Sequence, residues 1–161
     1  MHPRASELIS LMGLAPHPEG GYFREMFHST VTVQPDDGRG SRSALTSIYF
    51  LLPAGAVSRW HRVRSDEAWH YAEGAPVELL ELSADNARLE RIALGPYGLE
   101  RRPVHCVPAG RWQAARSLGD YTLVGCTVGP GFDYADFELL ADLPELATRL
   151  IRALPEVQEF L

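Results

Sequence analysis

The chain has 161 residues, 45% hydrophobic and 22% charged, with a formal net charge of −6. These values exclude a disordered or fibrous chain and leave room for one domain with a sizeable core. An acidic chain without a basic run offers nucleic acid no electrostatic footprint; no apolar stretch approaches the ~18–20 residues of a membrane span or forms a signal-peptide core, so a cytoplasmic protein is expected.

At the N-terminus, SELISLMGL places Ser6 as a candidate N-cap ahead of apolar residues at helical spacing, with Gly13 just past them, and predicts a short helix. Ten short apolar or alternating runs follow: GYFREMFHS, ALTSIYFLL, AVSRWHRV, EAWHYAE, PVELLELS, ARLERIAL, PVHCVPA, WQAARSL, YTLVGCTV and FELLA. Gly, Pro, Asp and Asn punctuate them, which predicts a row of strands in an all-β sandwich or barrel. The polar stretch QPDDGRGS between the first two is the expected mobile surface loop. Cys106 and Cys126 lie in separate strand-like runs, far from any CxxC pair, and are expected as buried free thiols. Near the C-terminus Asp142 is a candidate cap, Leu146, Leu150 and Leu154 form one apolar stripe, and Pro155 marks a break or a second short helix. Without a repeat or a linker-like shift in composition, residues 1–161 read as a single domain whose β region closes on itself.

The segment GAVSRWHRVRSDEAWHYAEG, residues 55–74, concentrates the candidate chemistry. A strand alternates faces, so His61 and Val63 point the same way, and the turn at RSD returns the chain so that Glu67 faces His61 across the pair. A histidine beside a carboxylate is suited to proton transfer near neutral pH.

Gly55, His61, Val63, Glu67 and Gly74 resemble the first motif of the cupin superfamily, with valine where the second histidine stands. Pro108, Gly110 and Gln113 resemble the second, with glutamine in place of its histidine and Ser117 at its usual asparagine. Together with HPEGGYFRE, SIYFLL, SDEAWH, PAGRWQAA and PGFDYADFEL, these blocks are similar to a small cupin branch known as a domain of unknown function. The resemblance implies a cupin jelly roll (double-stranded β-helix) with terminal helices outside it, a homodimer and a small-molecule ligand. It also implies a ligand set reduced to His61, Glu67 and Gln113, so that no metal cofactor is expected, with a weakly held divalent metal as the alternative. A further likeness joins GGYFRE to the metal-free dTDP-sugar epimerases of rhamnose biosynthesis, with Gly20 in place of their phosphate-binding arginine and His61 in place of their base.

The reading of function is therefore a metal-independent isomerase or epimerase acting on a sugar-like or polar carbonyl compound, with His61 as base, Glu67 orienting it and Tyr71 as acid. The alternatives are a non-catalytic metabolite-binding or sensing cupin and a metal-dependent enzyme. By strand parity Arg59 shares the face of His61 and is expected to hold an anion, either Glu67 or a substrate carboxylate or phosphate. Gln113 would hydrogen-bond substrate or a neighbouring backbone group. Alternation from Glu67 puts Trp69 and Tyr71 on the pocket side and His70 on the other unless a bulge intervenes. Tyr22, Arg24 and Tyr49 complete the candidate lining, either at the cavity or as rim and core. Asp133, Asp136 and Glu138 are expected as a solvated or arginine-paired acidic edge.

Overall fold

The structure is a computed structural model that describes all 161 residues. Helix α1 (Pro3–Met12) is followed by strands β1 (Ala15–Pro16), β2 (Tyr22–His28), β3 (Thr32–Val33), β4 (Arg42–Ser43), β5 (Thr46–Pro53), β6 (Val57–Val63) and β7 (Asp66–Gly74). Then come β8 (Val77–Leu82), β9 (Leu89–Leu94), β10 (Val104–Val107), β11 (Gln113–Ser117), β12 (Tyr121–Gly129), β13 (Phe137–Leu139) and helix α2 (Pro144–Ala153), with a final 3₁₀ turn over Pro155–Phe160. Every one of the ten predicted strands is present; the additional strands β1, β3 and β4 have two residues each and carry no periodicity to read.

The strands form a six-stranded sheet, β1-β2-β5-β12-β7-β10, and a five-stranded sheet, β13-β6-β11-β8-β9. All their pairings are antiparallel, as in a jelly roll. Between the sheets lies a core that includes Phe50, Leu52, Trp69, Leu79, Ile92 and Val124. Each sheet is also covered outside, the six-stranded one by α1 through Ala5 and Leu8 against Leu51 and Leu123. On the five-stranded sheet, α2 and the C-terminal turn pack Leu150, Val157 and Phe160 against Trp60, Leu80 and Leu82. Trp60 Nε1 donates to the Val157 carbonyl at 2.9 Å, which ties the tail down. Burial on both faces explains why β5 and the end of β8 read as continuous apolar runs.

The helix ends differ from expectation. α1 begins at Pro3, with His2 as the cap accepting from the Arg4 N–H, because proline at the first helical position suits a start earlier than Ser6. α2 is capped by Leu143 without a side-chain bond, since Asp142 closes a 3₁₀ turn and Pro144 opens the helix. Gly13 does end α1, at φ 60°. Cys126 is buried, whereas Cys106 is exposed on β10, an edge strand of its sheet.

The QPDDGRGS segment is held rather than loose at one point. Arg39 is buried and donates to Asp136 and Ser65, both at 3.0 Å, while Arg42 grips both Asp136 oxygens at 2.8 and 2.9 Å. Asp136 and Glu138 of the acidic segment are thus both arginine-paired, Asp136 in the interior and Glu138 with Arg62 at 2.6 Å on the surface.

Candidate functional site

A cavity of about 130 Å³ opens between the sheets. Phe23, Ile48, Phe50, Cys126 and Glu67 reach it from the six-stranded sheet, and His61, Val63 and Phe137 from the five-stranded one. His17 and Glu19 enter from the turn before β2, and Phe132 and Tyr134 from the segment after β12. The wall is largely apolar and aromatic, with five buried or nearly buried ionisable groups, His17, Glu19, His61, Glu67 and the Cys126 thiol.

His61 is held by its own strand. Its Nδ1 lies 2.8 Å from the Arg59 carbonyl, which can only accept, so Nδ1 carries the proton and Nε2 is the free base. Nε2 makes no hydrogen bond and lies 3.4 Å from Glu19 Oε2. Burial pushes the His61 pKa below its ordinary 6.5, against the opposing pull of Glu67, so the ring is a neutral base at neutral pH.

Glu67 is fixed by a chain of bonds. Its Oε2 accepts from Gln113 Nε2 at 2.5 Å, and Gln113 Oε1 accepts from Trp69 Nε1 at 2.9 Å. Burial raises its pKa to about 7, with nearby Glu19 adding to the rise and His61, Gln113 and Cys126 opposing it. Glu19 accepts from Ser58 Oγ at 2.7 Å, and its pKa is likewise raised by burial. Its second oxygen lies 3.4 Å from both His17 Nδ1 and His61 Nε2. His17 Nδ1 also accepts the Glu19 backbone N–H at 3.2 Å, and burial of the carboxyl group outweighs the opposing pull of His17, Ser58 and Arg59. The Cys126 thiol is pushed well above its ordinary pKa by burial and stays protonated beside Glu67.

The cavity therefore gathers His61 and Glu67 as read from the sequence, with Gln113 behind Glu67 rather than facing a ligand. The other candidates lie elsewhere. Arg59 turns outward and donates to the Pro18 carbonyl at 2.5 Å. The physical reason is a bulge in β6: Gln113 pairs with His61 but Ala115 with Ser58, so one extra residue breaks the alternation between them. Arg59 supplies the carbonyl that orients His61, the role expected of Glu67. Tyr71 packs beside the core and donates its hydroxyl to the Gly74 carbonyl at 2.6 Å. Trp69 is core, and His70 is exposed on the opposite face of β7. Tyr22 and Tyr49 pack beneath α1, and Arg24 donates to the Met12 carbonyl at 2.9 Å. Parity grouped Tyr22 with Arg24 correctly, but their face is the outer one, and Phe23 and Glu25 face the cavity.

His17 and Glu19 were missed as site residues, although HPEGG carries a local signal. Gly20 and Gly21 adopt φ 109° and 70°, and a Cβ on Gly20 would stand 2.1 Å from the Val57 carbonyl oxygen. The turn therefore presses against β6, where the Arg59 N–H donates to the Glu19 carbonyl at 2.8 Å, and aims Glu19 inward.

The metal positions implied by the cupin motifs fit poorly. His61 and Glu67 offer donors, Val63 none, and the Gln113 oxygen is taken by Trp69. No three His, Cys, Asp or Glu side chains are arranged to hold a metal ion.

Two antiparallel sheets facing each other about a cavity of this kind define a jelly roll of the cupin class. The family model described as Cupin superfamily (DUF985) matches residues 6–140, and the chain belongs to that family. A hypothetical protein from Leishmania major is 32% identical over 92% of this chain and 96% of its own, with a TM-score of 0.79. A protein from Shewanella oneidensis is also 32% identical, over 97% and 96%, with a TM-score of 0.83. Oxalate decarboxylase from Bacillus subtilis, at 20% identity and a TM-score of 0.59 over 82% of this chain and 30% of its own, shares the fold. No curated protein matches the chain. No helix is long and apolar enough to cross a membrane.

Proposed function

We propose that this cupin is a metal-independent isomerase or epimerase that moves a proton next to the carbonyl of a small polar compound. The observation that carries the reading is the free Nε2 of buried, neutral His61, aimed at a carboxyl group inside a largely apolar cavity. Membership of a superfamily that binds small molecules and includes enzymes is consistent with it.

In this reading Nε2 removes a proton from the carbon beside the carbonyl, and a protonated carboxyl group gives one to the carbonyl oxygen as the enol forms. Glu67, with a pKa of about 7, is the acid, the role first given to Tyr71. The imidazolium then returns a proton to either carbon of the enediol, while the hydroxyl that becomes the carbonyl gives its proton back to the Glu67 carboxylate, so both groups are restored and no electrons are gained or lost. The imidazolium formed on the way faces the Glu19 carboxyl group at 3.4 Å. The chain contains no lysine, so a Schiff base to a lysine side chain is not an alternative route.

A cavity of about 130 Å³ resembles the ~150 Å³ that admits benzene and is far below the ~300–1,000 Å³ of drug-sized pockets. The part of the substrate held inside the cavity is thus a skeleton of roughly six heavy atoms. Gly20, pressed on Val57, leaves no place for the epimerases' phosphate arginine.

The test is deuterium incorporation from heavy water into small hydroxyketones and hydroxyaldehydes, followed by proton NMR. Catalysed exchange that falls about 100-fold or more in His61→Asn supports the proposal. Exchange by neither protein, with a small molecule retained in native mass spectra, sinks it in favour of a binding or sensing role. The rate is expected to be bell-shaped in pH. It rises as His61 loses its proton below 6.5 and falls near 7 as Glu67 loses its own.

A further inference from the structure

The charge of the cavity wall narrows the ligand further, building on the acid–base site proposed above. Its ionisable side chains are the carboxyl groups of Glu19 and Glu67, that of Glu25 at the exposed rim, the imidazoles of His17 and His61, the Cys126 thiol and the Tyr134 hydroxyl. No arginine lines it. The basic side chains near these residues in sequence are spent outside, Arg59 on the Pro18 carbonyl, Arg62 on Glu138, Arg64 on Asp37, Arg24 on the Met12 carbonyl, and Arg39 and Arg42 on Asp136. Phe132, Tyr134 and Phe137 form a ring cluster with centroids 5.0–6.1 Å apart, and Phe137 stacks on His61 at 5.7 Å. Aromatic rings with carboxylates attract a cation and repel an anion.

We infer that the cavity selects a small ligand bearing an ammonium group, its charge set against Glu19 and the aromatic cluster, and that the substrate is a short amino-substituted carbonyl compound. This replaces the carboxylate or phosphate expected from an inward Arg59. A bound cation supplies the counter-charge that the buried Glu19 carboxyl group lacks, so its binding expels a proton from Glu19, leaves Glu67 protonated as the acid, and strengthens as pH rises.

The experiment is calorimetric titration, in the presence of a chelator, with butylammonium, 1-butanol and butanoate, three probes that share a four-carbon chain. Butylammonium is expected to bind about tenfold or more tighter than butanoate, and tighter at pH 8 than at pH 6. Glu19→Gln is expected to remove most of that preference and leave 1-butanol affinity unchanged, which a damaged fold would not do. Butanoate binding as tightly as butylammonium, or no probe binding at millimolar concentration, overturns the inference. So does zinc or manganese, added without chelator, binding tighter and displacing butylammonium. These are equilibrium measurements. A protein that prefers butylammonium but catalyses no deuterium exchange loses the isomerase and keeps the ammonium site, whereas exchange without cation preference does the reverse.

Discussion

Glu67 is buried and, like most buried polar groups, sits in a hydrogen-bonded chain. Gln113 and Trp69 fix its position but donate too little to hold it ionised, so burial prevails and the pKa climbs from 4.5 to about 7. A group whose folded pKa is raised stabilises the fold below its unfolded pKa, and that contribution is lost as pH rises through the folded value. Here the loss spans pH 4.5 to about 7 and amounts to about 3 kcal/mol. His61 has the opposite sign, its contribution present above 6.5 and lost as pH falls through its lowered folded pKa. Glu67→Gln is therefore expected to melt at or above the wild-type temperature at pH 8 and to lose the wild-type decline across that window. Thermal unfolding followed by circular dichroism across pH checks it; a variant that keeps the decline contradicts the assignment to Glu67.

At the scale of elements, a bulge and a turn build the site. The extra residue in β6 lets Ser58 and His61 both serve the cavity side, Ser58 through Glu19, while Arg59 turns out and Trp60 enters the outer core. The turn at residues 17–21 depends on Gly20, whose φ of 109° and closeness to the Val57 carbonyl leave no room for a Cβ. Gly20→Ala is expected to cost on the order of 1–3 kcal/mol. Because the shift would move Glu19, it should also impair cavity function more than its effect on stability. A denaturant titration measures the first, and butylammonium affinity at a temperature where the variant is folded measures the second. Leu150→Ala on α2 is the control, expected to cost about 2–5 kcal/mol with the cavity intact.

For the whole molecule, the cavity is roofed by residues after β12, and that roof is clamped from a distance. Asp136 holds Arg39 and Arg42 from the segment before β5, with Arg39 and Asp136 both buried. Removing the carboxylate strands a buried guanidinium, which costs about 3–5 kcal/mol. Asp136→Ala is thus expected to lose far more stability than Glu138→Ala, whose pair with Arg62 is largely exposed. Urea unfolding of the two variants makes the comparison.

The amino-acid order by itself determined the ten longer strands, the two terminal helices and the placing of His61 and Glu67 in one pocket, because period, turn residues and motif spacing are local. It also contained HPEGG, whose paired glycines marked a constrained turn without saying where that turn lands. Tertiary structure alone decided which face of β2 turns inward, that a bulge opposite Gln113 turns Arg59 away, and that Tyr71 spends its hydroxyl on its own strand. It also decided that His17 and Glu19, more than forty residues before His61, complete the acid–base set. Parity counts positions along one strand, whereas register, bulges and the landing of a distant turn are set by the strands packed alongside.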